Sequence, residues 1–143
     1  MTRLAQWRSD ERGSVATEFA IVMAAVLLGF VALTIYGGRV VQAENEVRSA
    51  AQEAARAASL EGTPAAADAA ARSVAVANLS RSGVSCPTPV VAVDLARFGP
   101  GGDVTVTITC TASFGDVGSL GVADSRAFTA SATEVIDRYR GGA

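Results

Sequence analysis

The stretch from Phe19 to Gly38, FAIVMAAVLLGFVALTIYGG, runs 20 residues without a charge. As an α-helix it would extend roughly 30 Å, the thickness of a bilayer's hydrocarbon core. Apolar residues occupy every side of it, so it has no polar face to turn toward water. Such a helix must be sheathed either by protein or by lipid. The chain has only 143 residues, too little other material to bury a helix apolar all round. The run is therefore expected to cross a membrane.

Orientation follows from the flanks. Arg3, Arg8 and Arg12 precede the run against Asp10 and Glu11, and acidic residues count little in the positive-inside rule. The N-terminal segment is expected in the cytoplasm and the residues beyond about 40 outside it, with Arg39 a single contrary charge. A secretory route stays open, because Val41-Gln42-Ala43 has the small-x-small form of a signal-peptide cut site. Against that route, the apolar run exceeds a usual signal core and the helical pattern continues through the site.

Composition limits the chemistry. All 12 basic residues are arginine, and histidine is absent. Without histidine the commonest general base and metal ligand are missing. Without lysine there is no Ser–Lys dyad, Schiff base or P-loop. Two cysteines do not make a four-ligand zinc site without a carboxylate cluster, and the sequence has none. A net charge of −2 with no basic patch gives nucleic acid little to bind. Enzymatic activity, a cofactor and a metal are not expected.

At the mouth of the apolar run stands Gly13-Ser14-Val15-Ala16-Thr17-Glu18-Phe19, directly after Arg12. This order of glycine, four residues, glutamate and an aromatic resembles the processing site of type IV pilins and pseudopilins. The resemblance implies cleavage by a prepilin peptidase between Gly13 and Ser14, on the cytoplasmic side, with Glu18 as fifth residue of the mature chain. More specifically, Arg12 to Ala58 resembles the signature segment of the TadE-like family of the tight-adherence (Tad) pilus system. The features that match are the Arg12-Gly13 start, Glu18-Phe19-Ala20, Gly38-Arg39 and the closing Ala51-Gln52-Glu53-Ala54-Ala55-Arg56-Ala57. The family often carries a proline within the apolar run, where Met23 and Ala24 stand here. The partners implied are the membrane, the prepilin peptidase, other pilins or pseudopilins, and a secretion ATPase with its inner-membrane assembly platform.

A carboxylate left unpaired in hydrocarbon costs on the order of 3 kcal/mol even on the lenient insertion scale. Glu18 lies at the interface, where it reaches water before any cut. Cleavage after Gly13 would place a new α-amino group on Ser14, one helical turn away, on the same chain or a neighbour. The resemblance implies that this pairing sets subunit register, with Glu18 and Phe19 as assembly residues. The alternative is a glutamate that snorkels to the interface without a partner. Ala16, Ala20 and Ala24 recur every fourth residue, as do Ala25 and Gly29, a spacing that lets membrane helices approach closely.

Beyond Arg39 the helical pattern continues. Val40, Ala43, Val47, Ala51, Ala54 and Ala58 form one apolar stripe, and Glu44–Arg48 is an i, i+4 pair in the favourable order. Gly62 is expected to end a helix of about 45 residues. Thr63-Pro64 reads as a cap followed by proline at the first helical position. A second helix is expected from Pro64 to about Leu79, ending at Ser82-Gly83 and burying Ala66, Ala70, Val74 and Ala77. After Pro89 the period changes to two. Val91, Val93 and Leu95 alternate, Phe98 to Asp103 reads as a turn, and Val104, Val106, Ile108 and Cys110 alternate again, with threonines between them. Ala127 to Ile136 forms a third strand. The loop from Gly115 to Gly121 matches no phosphate-binding fingerprint.

The expected fold is therefore α+β and pilin-like: a long N-terminal helix, a shorter second helix and a small antiparallel three-stranded sheet. Its divisions are a cytoplasmic leader (1–13), a transmembrane helix (14–38), an extracytoplasmic helical region (39–83) and a β-rich head (84–143). Cys86 and Cys110 lie on the extracytoplasmic side, where disulfides persist, and a bridge between them is expected. A register centred on Gly101-Gly102 sets Cys110 opposite about Val91, so Pro87–Pro89 must fold inward for the pair to meet. The leading functional reading is a non-enzymatic, single-span pseudopilin or pilus assembly protein. The alternative is a membrane-tethered binding module. A hydrolase would need a carboxylate pair such as Asp94 with Asp103 or Asp116, and acids in turns more often cap or face solvent.

Overall fold

In the computed structural model, residues 11–83, 86–113 and 125–139 are described, with side chains from Val15 onward. The chain divides into two compact units, Met1–Arg39 and Val40–Ala143. Helix α1, Glu11–Ser59, contributes to both. It stops short of Gly62: the amides of Leu60 and Glu61 donate to the carbonyls of Ala57 and Ala58 at 3.2 Å. These i→i−3 bonds tighten the last turn and end the α-helical ladder.

The second unit has the expected α+β order. Helix α2 (Pro64–Arg81) is followed by strands β1 (Val90–Asp94), β2 (Asp103–Ser113) and β3 (Ser125–Val135), paired antiparallel in the order β1-β2-β3. In α1 the expected stripe is buried at Ala43, Val47, Ala51, Ala54 and Ala58 and widens to Ala50, Ala55 and Ser59, while Val40 is half-buried. Arg48 bonds Glu44 at 3.1 Å on the exposed side. Thr63 caps α2, its hydroxyl accepting from the Ala66 amide at 3.3 Å, with Pro64 opening the helix.

The face that α2 buries differs from expectation. Ala67, Ala71, Ala75 and Leu79 are buried, whereas Ala66, Ala70 and Val74 are half-buried and Ala77 is exposed. In so alanine-rich a helix the two adjacent tracks are equally apolar, and Leu79, its largest apolar side chain, fixes which one turns inward. Asn78 ties α2 to α1 by donating to Glu53 at 3.1 Å. Arg72 donates two bonds to Asp68 at 2.8 and 2.9 Å and a third, at 2.6 Å, to the carbonyl of Val91 in β1.

The sheet has two unlike faces because its side chains alternate. Val91, Val104, Val106, Ile108, Cys110, Ala112 and Phe128 are buried on one. On the other, hydroxyl pairs span β2 and β3: Thr105–Thr133 at 2.7 Å, Thr107–Ser131 at 3.0 Å and Thr109–Thr129 at 3.1 Å. Between β1 and β2, Gly101 has φ 76°, and a Cβ on Gly102 would collide with the Arg97 carbonyl oxygen. Glycine is required at both positions. β3 is shifted from the expected span, beginning at Ser125 and ending at Val135. Ile136 stays buried and exchanges backbone bonds with the turn, accepting from Gly101 at 3.0 Å and donating to Gly102 at 2.9 Å.

Cys86 and Cys110 are bridged, with Cα atoms 5.7 Å apart. The register that brings them together differs from the expected one: Val91 faces Ile108 and Val90 faces Thr109. Cys110 thus lies one position beyond the last β1 pair rather than opposite Val91. The last pair is Asp94 with Thr105, so the turn is longer on the β1 side of Gly101-Gly102 than a symmetric loop, and this shifts the ladder. A closed loop with a sequence separation of 24 contributes about 3.5 kcal/mol through the entropy removed from the unfolded chain.

The hydrogen bonds from Arg72 hold the Asp68 carboxyl below its ordinary value of 3.8. A depressed folded-state pKa means the pair stabilises above the unfolded value and the contribution disappears as pH falls through the folded one. Asp68→Asn should therefore lower the thermal midpoint at pH 7 but not at pH 2. Melting curves of both proteins at the two pH values check this, and an equal deficit at pH 2 would contradict it.

Candidate functional site

Unit Met1–Arg39 holds the membrane-competent part of α1. Its most apolar 18-residue window is 0 % buried within the chain. Phe19 is 65 % exposed, Leu28 71 % and Leu33 66 %, and Ile21, Val22, Val26, Leu27 and Phe30 are exposed as well. A core helix of a water-soluble protein would have covered these side chains with its own chain. Nothing among the described residues covers them, so the surface is suited to lipid or to other helices.

Gly13 and Ser14 lie within the helical backbone of α1, and Glu18 and Phe19 follow on its next turn. Ser14 and Glu18 are therefore at i, i+4, neighbours on one face of the helix. Thr17 and Glu18 both have interaction partners. Ala16, Ala20 and Ala24 are exposed along one track. Val41 to Ala43 is helical, and Ala43 is 1 % exposed in the core of the second unit.

The carboxylates weighed for hydrolysis serve the hairpin instead. Asp94 accepts from the Ala96 amide at 2.9 Å, and Asp103 is bridged to Arg97 at 2.8 Å. Asp116 and the loop from Gly115 to Gly121 lie outside the described residues. Among the described residues no group of three or more acidic or cysteine side chains is placed to hold a metal. Two surface grooves, of 340 and 430 Å3, are lined by Glu46, Glu53, Asn78 and Arg81, and by Gln52, Arg56, Ser131 and Glu134. Their polar linings contrast with the mostly apolar cavities that hold small ligands. Sequence reasoning missed Arg72, whose reach to Val91 has no signal in the spacing of either residue.

Leu27 and Leu28 stand at the centre of the uncharged run. Replacing both with arginine adds about 3 kcal/mol of insertion cost at each position. The variant should leave the membrane fraction, as followed by carbonate extraction and immunoblotting. Retention equal to that of the wild type would show that the run is not held by hydrocarbon.

No curated protein and no solved structure matches the chain. A family model does, over the segment that carries Gly13, Glu18 and the apolar run. TadE-like pilus proteins are structural rather than enzymatic. Residues 13–56 match the family described as TadE-like protein, and this match together with the long apolar N-terminal helix fits a membrane protein associated with a Tad pilus.

Proposed function

We propose that the chain is a pseudopilin or pilus assembly protein of a tight-adherence pilus, cut by a prepilin peptidase after Gly13. Residues 14–38 anchor it in the cell membrane, residues 1–13 form a cytoplasmic leader, and the part from residue 39 onward is extracytoplasmic. Its partners are the peptidase, other pilins or pseudopilins and the assembly platform. The observation that carries the reading is that the family match begins at Gly13 and takes in Glu18 and the whole uncharged run. The exposure of that run supports a lipid or helix environment, and the buried disulfide-linked Cys110 supports an oxidising compartment for the head.

Glu18 is the assembly residue in this scheme. The amine released on Ser14 provides a charge-assisted partner, on the same chain or on the next subunit, for a carboxylate at the lipid boundary. Ala16, Ala20 and Ala24 give the neighbouring helix a surface it can approach closely.

The N-terminal mass of the membrane-extracted protein tests the cut. It should correspond to a start at Ser14 in the wild type and at Met1 in Gly13→Leu. A wild-type start at Glu44 would point to signal peptidase, and unchanged trimming of Gly13→Leu would remove the proposed site. Glu18→Ala should be trimmed normally but reduce pilus yield about tenfold or more, as expected for a charge-assisted bond of roughly 1.5–3 kcal/mol. Sheared pili quantified against total subunit check this, and full yield would leave Glu18 without an assembly role.

A further inference from the structure

Gly37 and Gly38 are consecutive in the interior of α1, yet the conformation seen there requires neither. A Cβ at either position meets nothing within 4 Å. Neither glycine has the positive φ that would demand one, in contrast to Gly83 and Gly101. Each weakens a helix relative to alanine by enlarging the freedom of the open backbone. One turn earlier, the Thr34 hydroxyl donates to the carbonyls of Phe30 at 2.9 Å and Val31 at 2.8 Å. Such back-bonding competes with the i→i−4 ladder and favours bending. Glycine pairs and inserted side chains are the usual physical origins of a helix joint.

Position adds a third observation. The pair ends the uncharged run and is followed by Arg39, so its backbone groups can reach interfacial water when a bond opens. In the middle of the run an opened bond would be left unsatisfied in hydrocarbon. The boundary between the two compact units also falls here, between Arg39 and Val40.

We propose that Thr34–Gly38 is a built-in joint, a turn of α1 that opens locally while the helix on either side stays closed. The open state breaks the bonds donated by the amides of Gly38 to Gln42, which the i→i−4 pattern directs to Thr34 through Gly38. Opening of this turn leaves the alanine seam that begins at Ala43 closed. It does not depend on the pilus reading, because it follows from helix energetics at a membrane boundary.

Hydrogen exchange of the full chain in lipid nanodiscs, resolved to the amides of Gly38–Gln42, tests the joint. Gly37→Ala or Gly38→Ala should slow these amides about fivefold, and the double variant about 30-fold, the factors that the glycine–alanine difference in helix propensity gives. Thr34→Ala should slow them to a smaller degree. Gly29→Ala, deep in the run, should leave them unchanged. Exchange unaffected by the double variant would overturn the proposal, as would alanines that weaken self-association of the chain without altering exchange. The latter result would make the glycines a close-packing contact instead.

Discussion

An α-helix closes its backbone hydrogen bonds within itself, and this lets α1 carry a membrane-competent apolar run and a packed stripe on one backbone. Any other regular element crossing from lipid to water would need partners for its N–H and C=O groups at each depth. Because the ladder is internal, only the side chains have to change. From Phe19 to Gly38 they are uncharged on all sides and exposed except for half-buried Ala32 and Tyr36. From Ala43 onward the same helix carries one buried stripe and a charged opposite face with Glu44 and Arg48. The rest of the fold is arranged to cover that stripe.

The stripe is built almost wholly of alanine, which shapes how the head is stabilised. Each buried alanine removes little apolar area from water, far less than a leucine. The gain is proximity, since small side chains let neighbouring backbone come close. Area must then be found elsewhere. Val47 in α1, Leu79 in α2, and Val104, Val106, Ile108, Phe128 and Ile136 around the sheet supply it. Bonds between elements compensate for the thin seam: Asn78 to Glu53, Arg72 to the Val91 carbonyl and the Cys86–Cys110 bridge. The disulfide begins where the β1–β2 ladder ends, so it fastens the segment that the sheet leaves unpaired.

Local rules made most of this architecture legible. The Thr63-Pro64 cap, the change of period after Pro89 and the glycine turn each reflect chemistry within a few residues, and each stands where the spacing puts it. What misled were choices between near-equal alternatives. The alanine tracks of α2 differ by one residue and hardly at all in hydropathy, so only the packing of Leu79 separates them. The hairpin register depended on how a turn of three glycines and a proline, Gly99 to Gly102, distributes its length, which composition does not fix. Arg72 was invisible because a bond to a carbonyl 19 residues away leaves no periodic trace. For the candidate site, the apolar run and the Gly13–Glu18 spacing were plain in the sequence. The exposure of the run and the helical backbone through Gly13 came from the structure.

That helical backbone bears on what a cut after Gly13 would do to Glu18. In the intact chain α1 already includes Glu11, so the Ser14 amide stands inside the helix. Glu18 stands beyond the first turn of α1 and gains little from the helix dipole, which acts within that turn. Removing the leader would turn Ser14 into a helix N-terminus. Three backbone N–H groups, those of Val15, Ala16 and Thr17, would lose their intrahelical acceptors. A positive amine would join them at the same end. A carboxylate one turn along then faces both charges together, and satisfying them within a lipid boundary favours an acceptor from an adjacent helix. In this account the glutamate is not made useful by its own placement alone. Proteolysis would create the complementary end, so that this amine is available to the carboxylate only in a processed subunit.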